Sequence, residues 1–406
     1  MKVTIVVHGK FHAFHLAAEL ERRALLHRVI SGYPRFRLRD SGVPKEKLTT
    51  LPAAQLVRHG LARTGRRVPP AVNWVLLNLF DIQASRCIDP TDIAVVWPDC
   101  AQRTIQAARS RGAWIVLEAG STHMVYRQKL LEEEYQRFGA RYAPVDARVL
   151  RSHLAEYGMA DYIAVPSAFV RDSFLQMGTA PEKILQLPYG VDLSRFQPVP
   201  REDDTFRVLF CGGISLRKGV QYLIRAFSEL DLPDARLWLV GSPEADIIPI
   251  LRRHRDSRIV LKGRQNQDRL PWYYSQADVF CLPSIEDGFG MVIAEAMASG
   301  LPIICTTNTG GSELVQDGIE GFVVTIRDVE ALKQRMLLLY KDRDRRRQMG
   351  RAAMARAKEA TWAEYGTRCA EAYGQILNRA ARGSADFSDG CPPATSGGRT
   401  TTGKAE

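Results

Sequence analysis

The chain opens with an apolar run, Lys2–Val7, that breaks at a histidine and a glycine. The amphipathic stretch that follows predicts a helix over about Ala13–Leu26. This strand-then-helix rhythm recurs. Strands are expected at Ile93–Trp97, Trp114–Leu117 and Tyr162–Val165, with a helix near Ala101–Arg111. It resumes with strands at Arg207–Cys211, Arg236–Val240, Arg258–Leu261, Val279–Leu282 and Pro302–Cys305, and helices at Val220–Leu230, Met291–Ser299 and Val329–Tyr340. The strands are almost wholly apolar, as parallel strands buried on both faces must be. Between the two series lies Arg195–Thr205, with two prolines and a charge run, which reads as a linker. The expected fold class is therefore α/β, two doubly wound parallel-sheet domains over residues 1–195 and 205–361. Ligands of such sheets bind beyond the carboxyl ends of the strands, so the cleft between the domains is the expected site. Asp342–Arg379 is Arg- and Ala-rich and helical in pattern. Residues 381–406 carry almost nothing apolar and are expected to be disordered.

Composition narrows the class. Of 406 residues, 45% are hydrophobic and 25% charged, enough for a sizeable core. The net charge of +11 attracts polyanions or anionic lipid. It equally fits a solvated Arg-rich surface. No aromatic-basic interleaving or nucleic-acid module accompanies it, which argues against a nucleic-acid partner. Seven cysteines without a CxxC pair exclude the usual zinc and redox motifs and fit a reducing compartment. No apolar run nears the roughly 18 residues of a membrane span. A cytoplasmic protein is expected. Arg58–Arg67, beside the apolar VNWVLLNLF, reads either as a contact with the inner face of an anionic membrane or as an ordinary surface loop and core helix.

Two loops carry candidate chemistry. CGGISLRKG, Cys211–Gly219, lies between a strand and a helix. Its glycines, Gly212 among them, let backbone approach a ligand, and Arg217 and Lys218 add positive charge where helix N–H groups already favour anions. A diphosphate suits it. The second is SIEDGFGMVIAEAMASG, Ser284–Gly300. Glu286 and Asp287 precede a turn, Gly288–Phe289–Gly290, that opens a helix at Met291. Glu295 then falls within an apolar run, where an unpaired carboxylate is costly, so it needs a polar partner. Its two oxygens match a vicinal diol such as ribose.

These motifs resemble the retaining glycosyltransferases of the GT-B fold, family 4. Asp287 and Glu295 match the ends of that family's acidic-x7-acidic signature, with Asp in place of the usual first Glu. CGGISLRKG resembles the diphosphate loop, Lys218 matching its lysine, although Gly213 stands where an arginine is frequent. LPYGVDLSRFQP resembles the interdomain segment, with Tyr189 replacing asparagine. YIAVPSAFVRDSF, ADVFCLPS, NTGGSELVQDGIEGFVV and TWAEY extend the match from about residue 93 to 365. The resemblance implies that His123, in EAGSTHMVY, faces the donor sugar and that Gly9 lies near the phosphates and the acceptor. It implies that a final helix, 363–380, crosses back to complete the first domain. It also implies a nucleotide-sugar donor, UDP- or GDP-linked, and transfer to a glycan, lipid-linked or small-molecule hydroxyl with retention, as in polysaccharide biosynthesis.

Metal is not expected. His8, His12 and His15 have no carboxylate placed with them in sequence, and Asp342-Arg343-Asp344 reads as a solvated helix face rather than a metal-binding DxD. No organic cofactor is expected either. Two other readings compete: a nucleotide-sugar phosphorylase or epimerase on the same scaffold, and a basic nucleic-acid binder.

Overall fold

A computed structural model describes residues 1–9, 11–63, 68–99 and 101–385. The expected tail beyond 385, residues 64–67 of the basic stretch, Cys100 and Cys391 lie outside the described residues. Seven strands form the first sheet: β1 Val3–Val7, β2 Leu26–Ser31, β3 Leu48–Thr50, β4 Ile93–Val96, β5 Trp114–Glu118, β6 Tyr162–Val165 and β7 Ile184–Gln186. Their order is β3-β2-β1-β4-β5-β6-β7. Six form the second: β8 Phe206–Cys211, β9 Ala235–Val240, β10 Ile259–Gly263, β11 Val279–Leu282, β12 Ile303–Thr306 and β13 Gly321–Val324, in the order β10-β9-β8-β11-β12-β13. Every ladder within the two sheets is parallel. The two-sheet α/β architecture expected from the pattern is the one found.

The order reverses between β1 and β4, and again between β8 and β11. A crevice opens at each such point, because the loops leave on opposite faces. The loop after β8 carries Arg217 and Lys218, and the loop after β11 carries Glu286 and Asp287. One apolar cluster joins the two sheets, running from Val3 and Ile5 through Tyr189, Phe289 and Tyr365 to Val208 and Ile303.

The first helix is shorter than its pattern. It spans Ala13–Arg22, the chain reverses through Ala24 at φ 56°, and Leu26 begins β2. The last helix is longer, Trp362–Ala385, so residues 381–385 are helical rather than part of a disordered tail. It packs on Ala13–Arg22, where Arg23 donates to the Ala363 carbonyl and to Thr367 Oγ1, at 2.8 and 2.7 Å. Asp342 breaks the late helical stretch in two. It caps Arg343–Ala357 by accepting from the Arg345 N–H at 2.9 Å.

Candidate active site

The diphosphate-type loop leaves β8 and makes a single turn, Leu216–Lys218. Gly219 ends that turn at φ 66°, and a Cβ there would run into the Pro283 carbonyl, so only glycine lets the loop lie against the end of β11. This contact brings the two motifs together. The Lys218 ammonium pairs with the Asp287 carboxylate, and both are largely buried. Arg217 Nη1 donates to the Glu286 carbonyl at 2.9 Å and lies 3.4 Å from its carboxylate. Burial works against the charge on Asp287. The Lys218 ammonium, the Arg217 guanidinium and the Gly290 N–H outweigh it and hold the carboxyl below its usual range.

Glu286 faces the other domain. It is 1% exposed, accepts from Thr122 Oγ1 at 3.0 Å, and has Arg127 Nε at 3.4 Å. Next in the chain, Gly288 lies so close to Gly120 that any Cβ would strike the Gly120 carbonyl. Ser167 Oγ donates to the Gly288 carbonyl at 2.6 Å. The acidic turn therefore lies directly on the carboxyl edge of the first sheet. Phe289 is buried against Tyr189, with ring centroids 5.2 Å apart. Gly290 sits at φ 72° and Met291 starts the helix Met291–Ala298 half-exposed.

Glu295 has the polar partner its apolar setting demands: Tyr274 Oη donates to it at 2.8 Å. Burial pushes its carboxyl up to about 7, against the Tyr274 hydrogen bond and the charge of Arg195. His123 caps the helix Met124–Arg137, its Nδ1 accepting from the Val125 N–H at 3.3 Å, and its ring packs on Tyr157 and Phe174. Burial, then the neighbouring His153, push it down to about 4. The ring is neutral at pH 7 and keeps its proton on Nε2. Thr122, one residue before it, ties this turn to Glu286.

Not every predicted residue joins the cluster. Gly212, at the start of the phosphate-type loop, is at φ 145° with its N–H bonded to the Val240 carbonyl at 2.9 Å. Gly9 follows β1 and packs beneath the Phe11 ring. The three early histidines have separate partners: His8 lies 3.5 Å from Asp99, His12 3.3 Å from Glu118, and His15 stacks on Trp362 at 4.1 Å. Among the described residues no group of His, Cys, Asp and Glu is placed to hold a metal. Thr122, Arg127 and Tyr274 were not singled out by sequence. Each meets its acidic partner only through the fold, and only Thr122 carried any signal, by adjacency to His123.

Residues 193–356 match the family model described as glycosyl transferases group 1. The chain is 30% identical over 221 residues to a D-inositol 3-phosphate glycosyltransferase of Nocardia farcinica, covering 49% of each chain. It is 28% identical over 297 residues to a GDP-mannose-dependent alpha-(1-6)-phosphatidylinositol monomannoside mannosyltransferase of Mycobacterium tuberculosis, covering 67% of this chain and 73% of that one. The matches span about half the length of the first of these relatives. Among solved structures, sucrose-phosphate synthase of Thermosynechococcus elongatus superposes with TM-score 0.71 at 19% identity, over 93% of this chain and 100% of that one. HepE of Anabaena, solved with UDP-glucose, superposes with TM-score 0.66 at 18% identity, over 92% and 100%. No helix among the described residues is long and apolar enough to cross a membrane. The chain thus has the two-domain GT-B glycosyltransferase fold, and its residues 193–356 match the glycosyl transferases group 1 model.

Proposed function

We propose that the chain transfers a sugar from a UDP- or GDP-sugar to a hydroxyl acceptor, a glycan or a lipid-linked or small molecule, with retention at the anomeric carbon. The observation that carries the reading is the Lys218–Asp287 pair, seated with Arg217 where the loops after β8 and β11 meet. A departing diphosphate develops negative charge. Lys218, Arg217 and the N–H groups at Gly290 and Met291 supply fixed positive ends for it. Once phosphate takes the lysine, Asp287 is released to accept hydroxyl hydrogen bonds from the donor sugar. Glu286 is already engaged by Thr122, Arg127 and Arg217, so Asp287 is the carboxylate assigned to the sugar. Neutral His123 offers Nε2–H to the same sugar, and Glu295 takes the ribose. The leaving phosphate accepts the acceptor's proton in a front-face displacement, which is the step that retains configuration. With lysine and arginine neutralising the diphosphate, no divalent metal is required.

Residues 1–195, completed by helix 363–380, would hold the acceptor, and residues 205–361 the donor. The relatives support a nucleotide-sugar donor: one is named for GDP-mannose, and one structural neighbour was solved with UDP-glucose. A panel of UDP-, GDP- and ADP-sugars, with and without EDTA, tests the reading. Release of nucleoside diphosphate from one of them, insensitive to EDTA, is the expected result. A sugar phosphate or an epimerised donor as the product would move the assignment to a phosphorylase or epimerase.

A further inference from the structure

The charge of the chain is not evenly spread. Its first 67 residues carry 14 Lys and Arg against 4 Asp and Glu, so ten of the eleven net positive charges lie in the first sixth of the sequence. The same region carries exposed apolar side chains. Phe36 is 61% exposed on a turn between exposed Arg35, Arg37 and Arg39. Leu56 and Val57 are 53% and 47% exposed on the helix Ala53–Arg63. Val75, 55% exposed, lies on the adjoining helix Pro70–Arg86. Between the turn and Ala53–Arg63 is a cavity of about 470 Å³, its walls Tyr33, Phe36 and Leu56, with Arg37, Gln55 and His59 also lining it. Gln55 Nε2 donates to the His8 carbonyl at 2.7 Å, so the inner wall of the cavity touches the carboxyl end of β1.

We infer that this face docks on an anionic lipid surface, with the cavity admitting the apolar part of a lipid-borne acceptor. Aliphatic side chains such as Leu56, Val57 and Val75 gain nothing from a nucleic acid, which is held by cations and aromatic stacking. They do gain from the acyl boundary of a bilayer, while arginines around them meet anionic headgroups. The contact between Gln55 and His8 places the cavity beside the edge where the first sheet faces the acidic turn. An acceptor held by its apolar end would thus present its hydroxyl from the membrane side. The inference deepens the acceptor side of the proposed transfer and leaves the donor site as described.

Flotation tests it, using the full chain with phosphatidylcholine vesicles, with the same vesicles containing phosphatidylglycerol, and with single-stranded DNA as a competing polyanion. The variants are Phe36→Ser with Leu56→Ser, and Arg35→Gln with Arg37→Gln and Arg39→Gln. All five residues are exposed, and thermal unfolding of each variant verifies the fold. The wild type should float with the anionic vesicles and not the neutral ones, and each variant should lose about tenfold in partitioning. Slow hydrolysis of the donor in solution should be unchanged in both, so loss of docking is read separately from loss of chemistry. Failure of the wild type to float at low salt overturns the inference. So does flotation that the Phe36 and Leu56 substitutions leave intact, or tight DNA binding indifferent to them.

Discussion

Glu295, the proposed ribose ligand, is poised to titrate near neutral pH. Its folded-state value of about 7 lies above the ordinary carboxylate range, because burial disfavours its charge. The unfolded chain gives up this proton first. Stability from the group is therefore complete at low pH and is lost as pH rises towards about 7, with no further change above. In urea unfolding, the wild type should lose stability over this window relative to Glu295→Gln. If the ionised carboxylate grips the ribose, nucleotide affinity should rise about tenfold between about pH 6 and about pH 8. Titration calorimetry on both proteins checks this, and Glu295→Gln should be flat. The residues of the candidate site were partly legible in sequence. Lysine, arginine and paired carboxylates stand out at glycine-rich strand ends, and Glu295 announced a partner by its apolar neighbours. Which partner was not legible: Tyr274 arrives from another helix, and Thr122 reaches Glu286 from 164 residues away. The proposal of Asp287 over Glu286 also rests on the fold, since only the packed domains bring Thr122, Arg127 and Arg217 to Glu286.

The elements that position these residues depend on close backbone approach more than on helix or strand propensity. Gly219 is the sharpest case. Gly219→Ala adds a methyl at φ 66° against the Pro283 carbonyl, which must shift. The expected cost is about 1–3 kcal/mol by urea unfolding. Donor turnover should fall further than that loss alone explains, because Lys218 moves with the turn. Buried parallel strands such as β4 and β11 were readable as uninterrupted apolar runs. β2, β3, β7 and β13 were not. β2 reads Leu-His-Arg-Val-Ile-Ser, its first half partly exposed beside its neighbour, and it followed a helical pattern with no proline or glycine to stop it. β3 and β7 have three residues each, too few for periodicity to register.

At the scale of the whole molecule, the helix Met124–Arg137 reaches out of the first domain to grip the second. Its Glu134 is fully buried and accepts from Gln221 Nε2, Tyr222 Oη and Arg327 Nε at 2.9, 2.8 and 2.7 Å. Tyr135 Oη donates to Asp246 at 2.5 Å, and Asp246 in turn accepts from the Leu216 N–H at the phosphate-type loop. Glu134→Ala strands three donors at once and should cost about 3 kcal/mol. It should also raise the radius of gyration in solution scattering, as the domains part, and weaken donor binding without touching the donor's own ligands. Unchanged scattering and affinity would show that the interface holds without this residue.

The decisive experiment is turnover of the preferred donor by wild type and by Lys218→Ala, with the product anomer read by NMR. The product should keep the donor's configuration. Lys218→Ala should lose about a hundredfold or more, with its thermal unfolding still cooperative. Near-normal turnover in that variant would remove Lys218 from the site, and an inverted product would rule out front-face transfer.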